Sequence, residues 1–190
     1  MTSIRPAQIE DVISIQTQNL LSLPENYYMN FYYYHLLTWP YLSWVAEDEG
    51  GHIVGYVLGK LNEDDETMGQ ITSVAVCREY RRLGLAHKLM RQSQVKMIEL
   101  YNCKTCALHV RESNYAARHM YENVLGFKLA FVDVKYYADG ENGLLLKLDL
   151  EELRKSMNLP PFKGLKSDNS AAEKKTEPVS KGKRTHKGKK

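Results

Sequence analysis

Apolar and polar residues alternate with two different periods along residues 1–150. Residues 11–21 carry apolar side chains at helical spacing, which places them on one face of a helix. Residues 53–61 and 70–76 are short runs with many β-branched side chains, which are typical of strands. Together, the two periods predict strands at residues 4–7, 43–47, 53–61, 70–76, 106–110, 128–134 and 144–149, and helices at 11–21, 28–37, 84–100 and 114–124.

The order of these elements indicates the fold class. Residues 43–76 hold three successive strands, and Gly50 and Gly51 suit a hairpin turn between the first two. A long helix then leads from the third strand to strand 106–110, which favours a parallel pairing of these two strands. We therefore predict an α/β (α+β) fold, with a mixed, mostly antiparallel sheet of about seven strands covered by four helices.

The charge of the chain is unevenly distributed. The 190 residues have a net charge of +3, but residues 164–190 contain nine Lys or Arg and three Asp or Glu, so residues 1–163 carry a net −3. This last stretch has no aromatic residue and almost no large apolar one, so it cannot offset the entropy of ordering. We predict a folded domain at residues 1–158 and a disordered basic tail at 159–190. The block 181–190 either attracts phosphate backbones or serves as a nuclear address, or it only solvates the chain.

The sequence lacks the features that are typical of membrane, secreted and metal-binding proteins. No apolar run approaches the roughly 20 residues of a spanning helix, and the first residues lack the apolar segment of a signal peptide. Cys77, Cys103 and Cys106 are odd in number and cannot all pair within the chain. Their single C-x-x-C lacks the two further ligands of a tetrahedral zinc site. We expect structural thiols in a reducing compartment, and no metal.

The strongest chemical signal lies where strand 70–76 leads into the long helix. The segment Arg81-Arg82-Leu83-Gly84-Leu85-Ala86 opens this helix, and the first amides of a helix have no partner inside it. Such amides, with the helix dipole and the two arginines, form a site suited to a pyrophosphate. The alternative is an ordinary helix start with solvated arginines. The segment is neither a Walker loop nor a dinucleotide-binding fingerprint.

In this context, Arg81-x-x-Gly84-x-Ala86 resembles the acetyl-CoA-binding signature of the GNAT superfamily of N-acetyltransferases. Longer segments resemble the family of catalytic subunits of N-terminal acetyltransferase A, also called the arrest-defective protein family. These segments include Leu23-Pro24-Glu25-Asn26-Tyr27, Leu108-His109-Val110-Arg111 and Lys135-Tyr136-Tyr137-Ala138-Asp139-Gly140. The resemblance extends from about residue 3 to residue 150 and implies the GNAT fold.

The resemblance implies acetyl-CoA as co-substrate and a set of residues that hold it. The two central strands would part and admit it between them. The residues implied for cofactor binding are Val74, Ala75, Val76, Arg81, Arg82, Leu83, Gly84, Leu85, Ala86, Asn114 and Tyr121. Tyr121 would also donate a proton to the leaving thiolate, although a Tyr on a helix is more often an ordinary half-buried residue.

The resemblance also implies the catalytic and peptide-binding residues. Glu25 and His109 are both candidates for the general base, and both could instead be structural. Some relatives pair this His with a Tyr from the preceding strand, a position that Gln70 takes here. The choice between Glu25 and His109 therefore stays open. The residues implied for substrate binding are Leu23, Pro24, Glu25, Tyr27, Tyr136 and Tyr137.

The function implied is acetylation of the α-amino group of nascent chains. In complex with a large helical-repeat auxiliary subunit on the ribosome, the substrates would be Ser, Ala, Thr, Gly, Val and Cys N-termini after Met removal. The subunit alone would prefer acidic N-termini. We expect a cytoplasmic, ribosome-associated protein, with weak RNA contact through the basic tail, no membrane, and a nuclear pool as an option. The alternatives are a lysine or small-molecule acetyltransferase, and a non-catalytic acetyl-CoA-binding module.

Overall fold

The computed structural model describes residues 1–160, which form one seven-stranded sheet in the order β1-β2-β3-β4-β5-β7-β6. The tail predicted at 159–190 lies outside the described residues, except for its first two. Every neighbouring pair of strands is antiparallel except β4 and β5, which confirms the predicted mixed sheet. The strands are β1 (Ser3–Pro6), β2 (Trp44–Glu47), β3 (Ile53–Leu61), β4 (Met68–Val76), β5 (Thr105–Arg111), β6 (Lys128–Asp133) and β7 (Gly143–Asp149).

Helices cover both faces of this sheet. They are α1 (Val12–Ser22), α2 (Met29–Thr38), α3 (Leu85–Tyr101), α4 (Tyr115–His119) and α5 (Glu151–Ser156). The four predicted helices are present, but the last one changes from an α-helix to a π-helical turn at Met120–Val124. The fifth helix, α5, was not predicted, because its six residues contain a single apolar side chain, Leu153, and so show no period.

The core consists of two apolar clusters, one on each face of the sheet. On one face, α3 buries Leu89, Met90 and Met97 against the strands. On the other face, α1 and α2 bury a second cluster that includes Ile15 and Tyr32. Tyr32 therefore belongs to the chain's own core.

Strand β4 contains one extra residue, and its pairing with β5 ends at the same point. Leu58 pairs with Ser73 and Gly59 with Ile71, so Thr72 has no partner on β3 and forms a β-bulge. The parallel pairing of β4 with β5 runs from Met68↔Thr105 to Ile71↔Leu108 and continues no further. Beyond this point the two central strands part, as expected for a cofactor that enters between them.

A buried chain of hydrogen bonds beneath α1 supplies a test of the fold. The fully buried Tyr56 hydroxyl accepts a hydrogen bond from Asn19 Nδ2 at 3.0 Å and lies 2.8 Å from Ser73 Oγ. Tyr56→Phe leaves the Asn19 amide without this partner and should reduce the free energy of unfolding by about 1–3 kcal/mol. Tyr28→Phe, at an exposed position, should change it by less than about 0.5 kcal/mol. Urea denaturation measures both, and equal midpoints would contradict the role assigned to the buried chain.

Candidate active site

The parting of β4 and β5 leaves one edge of β4 open. The Cys77 amide donates to Val54 O on β3 at 2.8 Å. Because backbone groups alternate in direction along a strand, Ala75 is directed towards its β3 partner Tyr56, while Val74 and Val76 are directed towards the opening. Of the three residues predicted to contact the cofactor through their backbone, the structure therefore brings Val74 and Val76 to the open edge. Ala75 is used within the sheet.

The start of α3 has the geometry of an anion site. Its N-cap residue is Gly84, with φ 76°, and no side chain caps the helix. The first amide bonded within the helix is that of Lys88, which donates to Gly84 O at 3.0 Å. A Cβ built on Gly84 would meet no atom within 4 Å, so the space in front of these amides is open. This arrangement fits the pyrophosphate of a coenzyme A molecule.

The two arginines of the signature differ in their contacts. Arg81 Nε donates to Val76 O at 3.0 Å, which ties the loop to the open edge of β4. Arg82 has φ 68°, an uncommon conformation for a residue with a side chain, and it is exposed. Leu83 is exposed, Leu85 is buried in the core and Ala86 is half-buried. Neither arginine forms an ion pair within residues 1–160, so both charges are available to phosphate oxygens.

Asn114 and Tyr121 lie on the helix that follows β5. Asn114 is the N-cap of α4, and its Oδ1 accepts from the Ala117 amide at 3.2 Å, which is a structural role that the sequence analysis did not include. Tyr121 is 7% exposed and lies in the π-helical turn, with its ring edge-on to Phe127 at 6.0 Å. Burial raises the pKa of the Tyr121 phenol, which therefore keeps its proton at neutral pH.

A single arginine, Arg111 of β5, connects the loop between α1 and α2 to the loop between β6 and β7. These two loops form the walls of a groove beside the opening of β4. Its Nε donates to Glu25 Oε1 at 2.6 Å, and its Nη1 donates to Asp139 at 2.7 Å and to Glu141 at 2.6 Å. Its guanidinium carbon lies 4.1 Å from the centre of the Tyr137 ring. The predicted catalytic residue Glu25 is thus held by a β5 side chain that also binds Asp139 and Glu141.

The same cluster determines the protonation of its members. Hydrogen bonds from Ser113 and Arg111 lower the pKa of Glu141, which is therefore ionised at neutral pH. Burial, followed by the charge of Glu25, raises the pKa of Tyr137, so this phenol stays neutral. The sequence analysis did not select Arg111 as a site residue. Its spacing of two from His109 was the available signal, because residues i and i+2 share a face of a strand.

His109 is the first residue of β5 beyond the last pair with β4, and it has two side-chain partners. Its Nε2 lies 2.9 Å from Asp133 Oδ2, and its ring stacks on Tyr136 at 4.2 Å between ring centres. Gln70 pairs with Lys60 and Ala107 on the neighbouring strands. Asp133 was also missed by the sequence analysis.

The remaining predicted peptide contacts lie in the loop between α1 and α2. Leu23 packs partly into the second core cluster, and Pro24 is exposed with its carbonyl accepting from Asn26 Nδ2 at 3.0 Å. Tyr27 stacks on Phe31 at 4.0 Å, and burial raises the pKa of Tyr27 to about 12. The groove therefore has Glu25 and Tyr27 on one wall, and Tyr136 and Tyr137 on the other.

Other site chemistries find little support among the described residues. Within residues 1–160, no group of three or more His, Cys, Asp or Glu side chains is placed to hold a metal ion. In the same range, no helix has the length and apolar character needed to cross a membrane. Cys103 and Cys106 are buried, and burial raises the pKa of the Cys103 thiol to about 12, so it stays protonated.

Comparisons with known proteins agree with this geometry. The model of the acetyltransferase (GNAT) family matches residues 9–127. The chain is 50% identical over 161 residues to the N-alpha-acetyltransferase daf-31 of Caenorhabditis elegans, covering 84% of this chain and 88% of the relative. It is 49% identical over 154 residues to the N-terminal acetyltransferase A complex catalytic subunit ard1 of Schizosaccharomyces pombe, covering 80% and 87%.

Solved structures with the same fold include other N-terminal acetyltransferases. Ard1 from Thermoplasma volcanium superposes with a TM-score of 0.72 at 26% identity, covering 78% of this chain and 97% of that one. A chain of the NatC complex bound to Gag peptide and CoA gives a TM-score of 0.72 at 26% identity, covering 78% and 98%. From its sequence relatives and its fold, this chain belongs to the GNAT acetyltransferase family and, within it, to the N-alpha-acetyltransferases of the ARD1 catalytic-subunit type.

Proposed function

We propose that this chain acetylates the α-amino groups of nascent proteins at the ribosome, as the catalytic subunit of an N-terminal acetyltransferase A complex. In the complex, its substrates are the Ser, Ala, Thr, Gly, Val and Cys N-termini that Met removal exposes. Alone, it prefers acidic N-termini. The names of relatives at about half identity support the type of complex, and the geometry of the groove supports a peptide terminus as substrate.

One observation carries the choice of an α-amine over a lysine side chain. The Arg111 guanidinium joins the α1–α2 loop, through Glu25, to the β6–β7 loop, through Asp139 and Glu141. These contacts hold the two walls close together beside the opening of β4. A narrow mouth with several carboxylates suits a short, cationic chain terminus. An internal lysine would have to bring a peptide backbone on both sides of its side chain to the same mouth.

The residues of the site divide the chemistry between them. Acetyl-CoA, held along Val74, Val76 and the start of α3, supplies an acetyl group activated as a thioester. An α-amino group has a pKa near 8, so a substantial fraction is already neutral near pH 7.5 and the base has one proton to remove. Glu25 and His109 both border the groove as candidates for this base. The Tyr121 phenol carries a proton at neutral pH and is the candidate donor to the leaving thiolate.

An exposed apolar surface on α1 and α2 supports the proposal of an auxiliary subunit. Tyr28 is 88% exposed and Leu21 75% exposed, and both lie beside the loop that carries Glu25. Large exposed apolar patches mark interaction sites in soluble proteins. We propose a large helical-repeat subunit as the occupant. The basic block 181–190, outside the described residues, adds weak RNA contact at the ribosome and is compatible with a nuclear as well as a cytoplasmic location.

The first prediction concerns the anion site. Gly84→Glu places a carboxylate in front of the open amides of α3, and like-charge repulsion of several kcal/mol should weaken acetyl-CoA binding by about 100-fold or more. Gly140→Glu is the matched control, because Gly140 also has a positive φ with open space around its Cβ but lies in the β6–β7 loop. Isothermal titration calorimetry measures both variants. Equal affinities in wild type and Gly84→Glu would exclude this site.

The second prediction concerns the Arg111 contacts. Arg111→Ala frees Glu25 and leaves three carboxylates without their cation. We expect kcat/KM for peptide to fall by roughly 100-fold through lost positioning, while acetyl-CoA affinity stays unchanged. Arg91→Ala on the exposed face of α3 should keep full activity. Unchanged peptide kinetics in Arg111→Ala would show that the Arg111 contacts do not position the substrate.

The third prediction concerns substrate class. Peptides with N-terminal Ser, N-terminal Asp, N-terminal Met-Leu and an internal Lys with a blocked terminus should be compared with the chain alone and with its auxiliary subunit. We expect Asp to be preferred by the chain alone and Ser by the complex. A preference for the internal Lys would support the alternative lysine acetyltransferase, and no turnover of any peptide would support a binding module.

A further inference from the structure

The His109 imidazole is fixed by two residues of the β6–β7 wall. Asp133 Oδ2 lies 2.9 Å from Nε2, and the Tyr136 ring stacks on the imidazole at an angle of 6° between planes. Gly143 of β7 makes room for this stack, because a Cβ at Gly143 would lie 2.8 Å from atoms of the Tyr136 ring. The stack limits tilting of the imidazole, and the contact with Asp133 fixes its rotation.

The partner of Nε2 determines which nitrogen can accept a proton. An ionised carboxylate only accepts hydrogen bonds, so Nε2 must carry the hydrogen that is shared with Asp133. In the neutral imidazole, the lone pair then lies on Nδ1. His109 is also on the same face of β5 as Arg111, whose contact with Glu25 identifies that face as the side of the peptide groove.

We propose that Asp133 is a positioning residue that makes Nδ1 of His109 the proton acceptor in acetyl transfer. This inference rests on the proposed function. In the reaction, the amine nitrogen bonds to the acetyl carbon and the bond from that carbon to sulfur breaks. The nitrogen gives its proton to His109 Nδ1, which later releases it to solvent. The thiolate takes a proton from Tyr121, and the Tyr121 phenolate regains one from solvent. The Asp133 carboxylate stabilises the imidazolium, as a carboxylate does beside a catalytic histidine in hydrolases.

The surroundings of His109 single out Asp133 as its charge partner. Tyr136 stacks on the ring and its phenol is neutral, because burial and the charge of Asp133 raise the pKa of Tyr136. On β5, the charge of Arg111 is engaged with Glu25 of the α1–α2 loop. On β3, Lys60 forms an ion pair with Glu63 at 2.8 Å. Asp133 is the group among these that contacts an imidazole nitrogen.

Kinetics of the full chain with an N-terminal peptide test the role of Asp133. Asp133→Asn keeps the shape of the side chain and removes its charge, and kcat should fall by roughly 100-fold, as for a misdirected general base, with little change in KM. Asp64→Asn, in the exposed β3–β4 loop, removes the same charge and should change neither kcat nor KM.

A double-mutant cycle separates positioning from a general structural effect. In a His109→Ala background, Asp133→Asn should change kcat by less than about twofold, because its effect passes through His109. An equal loss in both backgrounds, or full activity of His109→Ala, would overturn the proposal. Acetyl-CoA affinity of Asp133→Asn should equal that of wild type, and a loss of affinity would assign Asp133 to the fold instead.

A spectroscopic measurement reports the tautomer without turnover. In ¹⁵N NMR spectra of the protein with labelled histidine, the His109 signals are assigned by their absence in His109→Ala. They should show a protonated Nε2 and an unprotonated Nδ1. The opposite tautomer would contradict the proposal. Wild-type turnover of the Ser peptide reports separately on the proposed function. If the wild type acetylates the peptide but Asp133→Asn causes the same loss of kcat with and without His109, only the role of Asp133 is refuted.

Discussion

The extra residue in β4 is the constraint on which the rest of the site depends. A regular strand would keep β4 paired with β5 along its whole length and leave no room between them. At Thr72 the strand instead bulges, and pairing with β5 stops at Ile71. Thr72 Oγ1 lies 2.9 Å from His35 Nε2 of α2. Ser73 Oγ lies 2.8 Å from the Tyr56 hydroxyl of β3, which also accepts from Asn19 of α1. Buried hydrogen bonds thus hold the irregular segment in place.

The two ends of the opening have opposite electrostatic character. At the start of α3, unpaired amides and the charges of Arg81 and Arg82 face open space, which suits phosphate groups. At the peptide groove, Glu25, Asp139 and Glu141 surround the single cation Arg111, so this cluster is negative overall. A cationic chain terminus is attracted to the negative end, and the anionic part of the co-substrate to the positive end. Charge therefore orients the two reactants before any specific contact forms.

Local signals predicted the cofactor side of the site, whereas the peptide side depends on contacts that are remote in sequence. The strand, the turn and Gly84 are neighbours in the chain, and a helix start has the same physics in any fold. Arg111 meets Glu25 across 86 residues and His109 meets Asp133 across 24, and no period links such pairs. Helix α5 escaped prediction for a different reason, because it has fewer than two turns and a single apolar residue. The bulge at Thr72 was equally invisible, since an extra residue leaves the β-branched run intact.

The position of Glu25 connects the partner surface to the chemistry. Glu25 lies in the loop between α1 and α2, and the exposed apolar residues Leu21 and Tyr28 flank that loop. A subunit bound there can change specificity only if it binds one position of the loop better than another. In the free chain, the ion pair of Glu25 with Arg111 at 2.6 Å opposes such a movement. Since Arg111 keeps Asp139 and Glu141 as partners, the loop can exchange one contact while the arginine remains neutralised. The surplus of carboxylates around Arg111 is thus what allows the α1–α2 wall to move without leaving the half-buried guanidinium unpaired.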